Sequence, residues 1–219
     1  TSQKEAHHFL AEADWLMITL GSAFVYKLAE TNEPVANCHR ASAQIFNKHL
    51  CSINEIIAAL DNTIHQLFNF NPKIKIIFTI SPVRHIRDGV IDNNRSKARL
   101  IEAVHHLINK FEKLYYFPAY ELVIDVLRDY RFCDIDLVHP NYAATEFVLE
   151  KFTESCLNEE TRNVMAEIKK IMIAKKHKAF NPQSQQHKQF LQRFYAKTLE
   201  LQERYSGLNF DEELKYFAG

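Results

Sequence analysis

Ile74-Lys75-Ile76-Ile77-Phe78-Thr79-Ile80 lies between Asn71-Pro72 and Ser81-Pro82. A short run this rich in β-branched and aromatic residues, bounded on both sides by chain breakers, predicts a strand buried in the middle of a sheet. Two weaker runs flank it in the sequence. Trp15-Leu16-Met17-Ile18-Thr19-Leu20 ends at Gly21, and Leu114-Tyr115-Tyr116-Phe117 stops at Pro118. Both read as further strands.

Helical patterns separate these runs. Ser52 with Glu55 three residues later forms a capping box, and Ile56, Leu60, Ile64 and Leu67 then recur at helical spacing. Asn94 is placed to cap a second helix with Leu100, Val104, Leu107 and Phe111 on one face. Pro140 suits the first position of a third helix, whose Ala144, Phe147, Val148 and Phe152 face the core. Strands alternating with helices predict parallel βαβ units in a layered α/β domain. Beyond about residue 158 strands disappear. Val164, Ile168, Ile171 and Lys175 mark one amphipathic helix, and Phe190, Leu191, Phe194 and Tyr195 another after Ser184. The expected division is an α/β core over 1–158 and a helical extension over 159–219.

Composition narrows the classes of function. Of 219 residues, 47% are hydrophobic and 25% charged, ordinary for a chain with a sizeable core. Lys plus Arg and Asp plus Glu both number 27, so no broad basic field exists to hold a phosphate backbone, and nucleic acid is not the expected partner. Cys38, Cys51, Cys133 and Cys156 are scattered without a CxxC pair, which predicts reduced thiols rather than a zinc site or a disulfide framework. No apolar run approaches the roughly 20 residues of a membrane span. No secretory signal is legible at Thr1, which favours the cytoplasm; the first residue is not Met, so further sequence is expected upstream.

In an open parallel sheet, ligands gather beyond the carboxyl ends of the strands. This rule selects Gly21-Ser22-Ala23, Ser81-Pro82-Val83-Arg84-His85, and the loop with Asp134, Asp136 and His139 that enters the last core helix. The residue before a proline is driven out of helical geometry, so His139 should project from extended backbone. Asp136 can then hold one imidazole nitrogen while the other faces a nucleophile, as a histidine base requires. A helix-capping Asp136 with a half-exposed loop His139 is the plainer alternative.

Asp136-Leu137-Val138-His139-Pro140 resembles the final block of the SGNH (GDSL-type) hydrolases. Further segments narrow the resemblance to the GSCFA family. They are Gly21-Ser22-Ala23-Phe24-Val25-Tyr26, Val35-Ala36-Asn37-Cys38-His39-Arg40, Ser81-Pro82-Val83-Arg84-His85, Ser96-Lys97-Ala98, Tyr116-Phe117-Pro118-Ala119-Tyr120-Glu121 and Leu127-Arg128-Asp129-Tyr130-Arg131-Phe132. Their ordered succession covers about residues 11–190. The resemblance implies a three-layer, flavodoxin-like parallel sheet with helices on both faces, followed by the helical extension. It also implies an ester hydrolase, acting on acyl or carbohydrate esters by a Ser–His–Asp mechanism without cofactor or metal. His139 would be the base and Asp136 its orienter. Gly21, with Asn37 as a side-chain donor, would stabilise the oxyanion, and Ser22, His39, Arg84 and His85 would line the substrate site.

The chain departs from the family pattern at one point. The Gly-Ser-Cys-Phe-Ala block, whose serine corresponds to the nucleophile, does not occur in it. That serine is expected from an N-terminal segment, and a sheet without this segment's strand should leave an apolar gap or edge. Gly21-Ser22 imitates a nucleophile turn, but the resemblance places it at a Gly-Thr-Ala-like block downstream. Tyr116, Tyr120, Tyr130 and Phe132 are expected in the core, and Leu127-Arg128-Asp129-Tyr130-Arg131 should form ion pairs that shape the His139 loop.

The expected partner is a small-molecule or saccharide ester, with homo-oligomers formed through the C-terminal helices as a second association. Three other readings compete: an acyltransferase, a non-catalytic interaction module or inactive hydrolase fragment, and, last, a metal-dependent hydrolase using His39, His85, Asp136 and His139.

Overall fold

The structure, a computed structural model, describes residues 2–218. Its first unit spans residues 1–150 and its second 151–219. The central strand of the first unit is the run that the sequence singles out. It is β5, Lys75–Ile80, preceded by helix α1 (Ser2–Glu12) and strand β1 (Trp15–Leu20) and followed at a distance by β6 (Leu114–Tyr116). The three form a parallel sheet in the order β1-β5-β6, with Met17 beside Ile77 and Ile77 beside Tyr115. Parallel neighbours need long crossovers. Helix α2 (Ile53–Phe70) leads into β5, and α3 (Val90–Lys110) joins β5 to β6.

Side-chain alternation then decides what each face meets. Ile76, Phe78 and Ile80 are fully buried and pack with Ile64 of α2 and Leu100, Val104 and Leu107 of α3. Leu16, Ile18 and Leu20 of β1 join the same core. The opposite face is different: Trp15, Met17 and Tyr115 remain 46%, 53% and 43% exposed. Trp15 and Tyr115 lie with ring centres 5.4 Å apart, and the Lys75 amine sits 5.0 Å above the Trp15 ring.

The Ser52–Glu55 capping box forms as expected. Ser52 Oγ accepts from Glu55 N at 3.2 Å, and the Glu55 carboxylate accepts from Ser52 N at 2.7 Å. Two helix starts differ from the sequence reading. Helix α3 begins at Val90, one turn before Asn94, because Gly89 at φ 79° turns the chain and already serves as its cap position. Helix α5 (Tyr142–Cys156) begins after Pro140, which is held in an extended bridge with Cys133. Asn141 is the cap, its Oδ1 accepting from Ala144 N at 3.2 Å.

A second, antiparallel sheet lies between β1 and α2 and has the order β3-β2-β4, from β2 (Phe24–Leu28), β3 (Pro34–Val35) and β4 (Phe46–Leu50). Strands β2 and β4 carry polar residues among the apolar ones and lack the flanking prolines that mark β5. After β6, one α-helical turn, α4 (Ala119–Glu121), continues as a π-helical turn over Leu122–Leu127 that ends with Arg128 at φ 51°.

The second unit is helical, with α6 (Glu159–Lys176), α7 (Gln185–Arg204) and α8 (Asp211–Ala218). Ile171 and Ala174 meet Leu201, Phe210 and Phe217 in a core of its own. Ser184 caps α7. The Lys175 amine reaches the largely buried Glu213 carboxylate at 2.6 Å, tying α6 to α8.

Candidate active site

The loop that precedes α5 is built to present two side chains. Cys133 and Pro140 bridge its ends, Asp134 N donates to His139 O at 2.7 Å, and Leu137 N donates to Asp134 O at 2.9 Å. Asn141 acts as a clip from the helix side, its amide donating to Arg131 O at 2.7 Å and Cys133 O at 3.2 Å. Leu137 turns the chain at φ 59°. A left-handed backbone at a branched, non-glycine residue costs on the order of 1–3 kcal/mol and persists only where its surroundings enforce it. Arg84 supplies one restraint, donating from Nη1 to Leu137 O at 3.1 Å while its guanidinium lies 5.3 Å from the Tyr130 ring centre.

Within that turn Asp136 is held by its own neighbours. Its Oδ1 accepts from Val138 N at 2.9 Å and His139 N at 3.0 Å, and its Oδ2 lies 2.6 Å from His139 Nδ1. The backbone amide of His139, then its imidazole and then the amide of Val138 hold the Asp136 carboxyl down to about 2. An ionised carboxylate only accepts, so the proton of the neutral imidazole belongs on Nδ1 and the Nε2 lone pair is left outward. No hydrogen bond engages His139 Nε2 among the described residues. Both side chains are about half exposed, 58% for His139 and 45% for Asp136. An ion pair so open to water adds little to stability, so the arrangement orients an imidazole more than it holds the fold.

A cavity of about 540 Å³ adjoins this loop, lined among others by Arg84, Asn93, Tyr120, Tyr130 and Asp136. Tyr130 is 61% exposed. This corrects the expectation of a core residue: its ring is the platform on which Arg84 rests. The expected ion pair is present, with Arg131 Nε 3.4 Å from Asp129 Oδ2.

The other candidates divide. Gly21 follows β1, and a β-carbon added there would meet His85 Nε2 at 3.7 Å, an ordinary contact. Ser22 Oγ accepts from Phe24 N at 3.1 Å and lies 3.3 Å from Ser96 Oγ. No histidine bonds to Ser22 among the described residues, so no base activates it there. Arg84 and His85 follow β5, with His85 N donating to Asn93 Oδ1 at 2.9 Å. Asn37 and His39 lie instead on an exposed turn after β3, where Asn37 Oδ1 accepts from His39 N at 2.9 Å and His39 sits at φ 47°. No hydrogen bond joins them to Asp136 or His139 among the described residues.

Two residues without a role in the sequence reading complete the strand ends. Ser96 Oγ accepts from Ala23 N at 2.7 Å. Lys97 is 1% exposed and donates to Gly21 O and Ser81 O, both at 2.6 Å, clamping the ends of β1 and β5 together. Burial lowers its ammonium to about 8. Its position, three before Leu100 and seven before Val104, puts a lysine on the apolar stripe of α3. That polar intrusion was the available signal.

His49, Cys51 and Glu55 also converge, their ligand atoms all within 4.8 Å of one another. This is not the histidine set of the metal reading. Glu55 is already engaged by His49 Nε2 at 2.9 Å and by Ser52 N. Its carboxyl is held near 2, chiefly by the Ser52 backbone amide.

A pH prediction follows from these two carboxylates. The folded values of Asp136 and Glu55, about 2 each, lie below their ordinary 3.8 and 4.5. Their contribution to stability is therefore complete above the ordinary values and is lost as pH falls through about 2. Urea unfolding across acid pH should show this window, and Asp136→Asn should remove part of the acid dependence. A variant as acid-sensitive as the wild type would contradict the assignment.

Comparison with known families covers the two structural units in turn. The sequence model of the GSCFA family matches residues 1–152, and that of the GSCFA domain protein C-terminal domain matches residues 168–218. No curated protein matches the chain. The first match covers well over half of the residues, ends close to the boundary between the two structural units, and contains both members of the Asp136–His139 pair: the chain belongs to the GSCFA family.

Proposed function

We propose that the protein is an SGNH-type ester hydrolase, acting on acyl or carbohydrate esters, in which His139 is the general base and Asp136 its orienter. One observation carries the reading: the 2.6 Å contact from Asp136 to His139 Nδ1, made by a carboxylate that two backbone amides already fix, beside a cavity of substrate size. A carboxylate so held keeps the imidazole in one tautomer and stabilises the imidazolium that forms when Nε2 takes a proton. The nucleophile in this proposal is a serine on sequence preceding Thr1, as the resemblance to SGNH enzymes implies.

The serine hydroxyl loses its proton to His139 Nε2 as its oxygen bonds to the ester carbonyl carbon. The carbonyl oxygen becomes an oxyanion, for which the backbone N–H at Gly21 is the candidate donor. His139 returns the proton to the departing alkoxide as the carbon–oxygen bond breaks. Water, deprotonated by the same nitrogen, then releases the acid and restores the serine. Acyl transfer would differ only in placing a second alcohol where water attacks.

The test is an assay of the protein with its natural upstream sequence against acetyl and butyryl esters of p-nitrophenol and of simple sugars. Turnover abolished by replacing the upstream serine with alanine supports the proposal. Turnover that survives that change, or none on any ester, overturns it.

A further inference from the structure

His49 and Cys51 stand two residues apart where β4 runs out, and Glu55 follows in the first turn of α2. Alternate residues of an extended chain face the same way. A ring nitrogen of His49, the Sγ of Cys51 and a carboxylate oxygen of Glu55 accordingly all lie within 4.8 Å of one another. The backbone that carries them is already fixed. His49 pairs in register with Val25, and Cys51 N donates to Ala23 O at 3.0 Å. Arg99 Nη1 donates to Leu50 O at 2.9 Å and to Cys51 O at 2.7 Å. The capping box holds Glu55 through Oε2 on Ser52 N at 2.7 Å, while Oε1 meets His49 Nε2 at 2.9 Å.

A thiolate, an imidazole and a carboxylate are donors that zinc takes, whereas calcium and magnesium take oxygen alone. Tetrahedral bonds of about 2.0–2.3 Å set the donor atoms about 3.3–3.6 Å apart. The imidazole and the carboxylate already lie inside that separation. The thiol has to close on them by at most about 1.5 Å, which rotation of its own side chain supplies. Cys51 is in no disulfide. Burial and then the Glu55 charge push its thiol up, with Lys27 and Arg99 drawing it back, so a bound ion must displace the thiol proton. The ligand set then carries two negative charges, which match a divalent ion. Three protein donors leave a fourth position, and the His49 and Glu55 side chains, 38% and 47% exposed, place it at the surface.

We propose that His49, Cys51 and Glu55 form a zinc site with three protein ligands and a fourth position open to water, fastening the end of the antiparallel sheet to the first turn of α2. On binding, the imidazole proton moves from Nε2 to Nδ1 and the thiol proton passes to solvent, while Oε2 of Glu55 keeps the helix cap. Zinc binding here is independent of the ester-hydrolase reading. None of the three ligands bonds to Asp136 or His139 among the described residues, and binding needs no turnover.

The test is equilibrium dialysis against zinc and against calcium, using the tag-free protein with its natural upstream sequence after a chelator has stripped it of metal. Zinc is expected to bind at least about a hundredfold more tightly than calcium. His49→Ala and Cys51→Ser should each weaken zinc binding by at least about a hundredfold, with the circular dichroism spectrum unchanged. Glu55→Gln keeps the Ser52 cap through its amide oxygen and should weaken binding about tenfold or more; it decides the matter where either of the other variants unfolds. Cobalt in place of zinc should show a thiolate-to-metal charge-transfer band in the near ultraviolet that Cys51→Ser abolishes. Zinc should also raise the Tm of the wild type more than that of any variant. No zinc uptake, calcium bound as tightly as zinc, or zinc binding that survives all three substitutions would each overturn the proposal. Zinc binding by a protein that hydrolyses no ester would leave this site standing and remove the preceding reading.

Discussion

His139→Ala, in the protein carrying its natural upstream sequence, is expected to lower kcat on a short acyl ester by about 10³- to 10⁴-fold, with KM changed little. The magnitude follows from the two roles of the imidazole in the proposed mechanism: it takes the serine proton during attack and returns it to the leaving alkoxide, and general acid–base catalysis typically contributes about 10²- to 10⁴-fold. Asp136→Asn should fall in the same range rather than near the wild type. An asparagine can accept the Val138 and His139 amides with its oxygen, which leaves its nitrogen facing Nδ1 and favours the wrong tautomer. The two changes together should cost scarcely more than either alone, because groups that act as a unit are not additive. Losses that multiplied would separate the roles of Asp136 and His139 and contradict their description as one device. Stability should move little in His139→Ala, since the imidazole is more than half exposed.

Phe78→Ala is the change expected to damage the fold most. Phe78 is fully buried in the middle of β5, flanked by Ile18 and Tyr116 and covered by Ile64, Val104 and Leu107. Truncating a phenylalanine in such a place costs about 3–5 kcal/mol, because apolar contact is lost and the surrounding sheet and helices close the cavity only in part. Trp15, the sole tryptophan, reports on this unit from β1. Its fluorescence during urea unfolding should show an unfolding free energy lowered by that amount, seen as a lower midpoint at unchanged slope. Met17→Ala on the opposite face, where the side chain is 53% exposed, should change stability by less than about 1 kcal/mol. A Phe78→Ala protein within about 1 kcal/mol of the wild type would place the core elsewhere.

The legible part of the fold was the part whose pattern is local. Lys75–Ile80 announces itself because a strand buried on both faces is largely apolar, and prolines near both ends bound the stretch. Ser52 and Glu55 are equally plain, since a capping box is a spacing of side chains against their own backbone. The β2–β4 sheet was missed for the converse reason. Strands β2 and β4 pair across seventeen or more intervening residues, and Phe24, Tyr26 and Lys48 acquire a common face only through that register. The start of α5 was read two residues early because proline is equally at home in the first helical turn and in an extended bridge, and only Cys133, seven residues away, selects between them.

The same division runs through the site. Asp136 and His139 were readable together because three residues and a following proline bring them within reach without help from the rest of the chain. Arg84 and His85 were found from the topology rule for strand ends. Lys97 stands out in the sequence only within Ser96-Lys97-Ala98; its grip on Gly21 and Ser81 depends on distant strands. Asn37 has the right chemistry for an oxyanion donor, but it sits on an exposed turn after β3, where its Oδ1 accepts from His39 N and no hydrogen bond among the described residues ties it to the Asp136–His139 loop.

The account rests on His139 serving as base to a serine, and active-site labelling reaches that claim most directly. The phosphorus of a fluorophosphonate is attacked by a serine oxygen that loses its proton to a base as the O–P bond forms and fluoride leaves. In the protein with its natural upstream sequence, a single adduct is expected on a serine preceding Thr1, located by peptide mass analysis. The rate of labelling should fall at least about a hundredfold in His139→Ala. An unlabelled wild-type protein, or labelling that proceeds equally fast without His139, would contradict it.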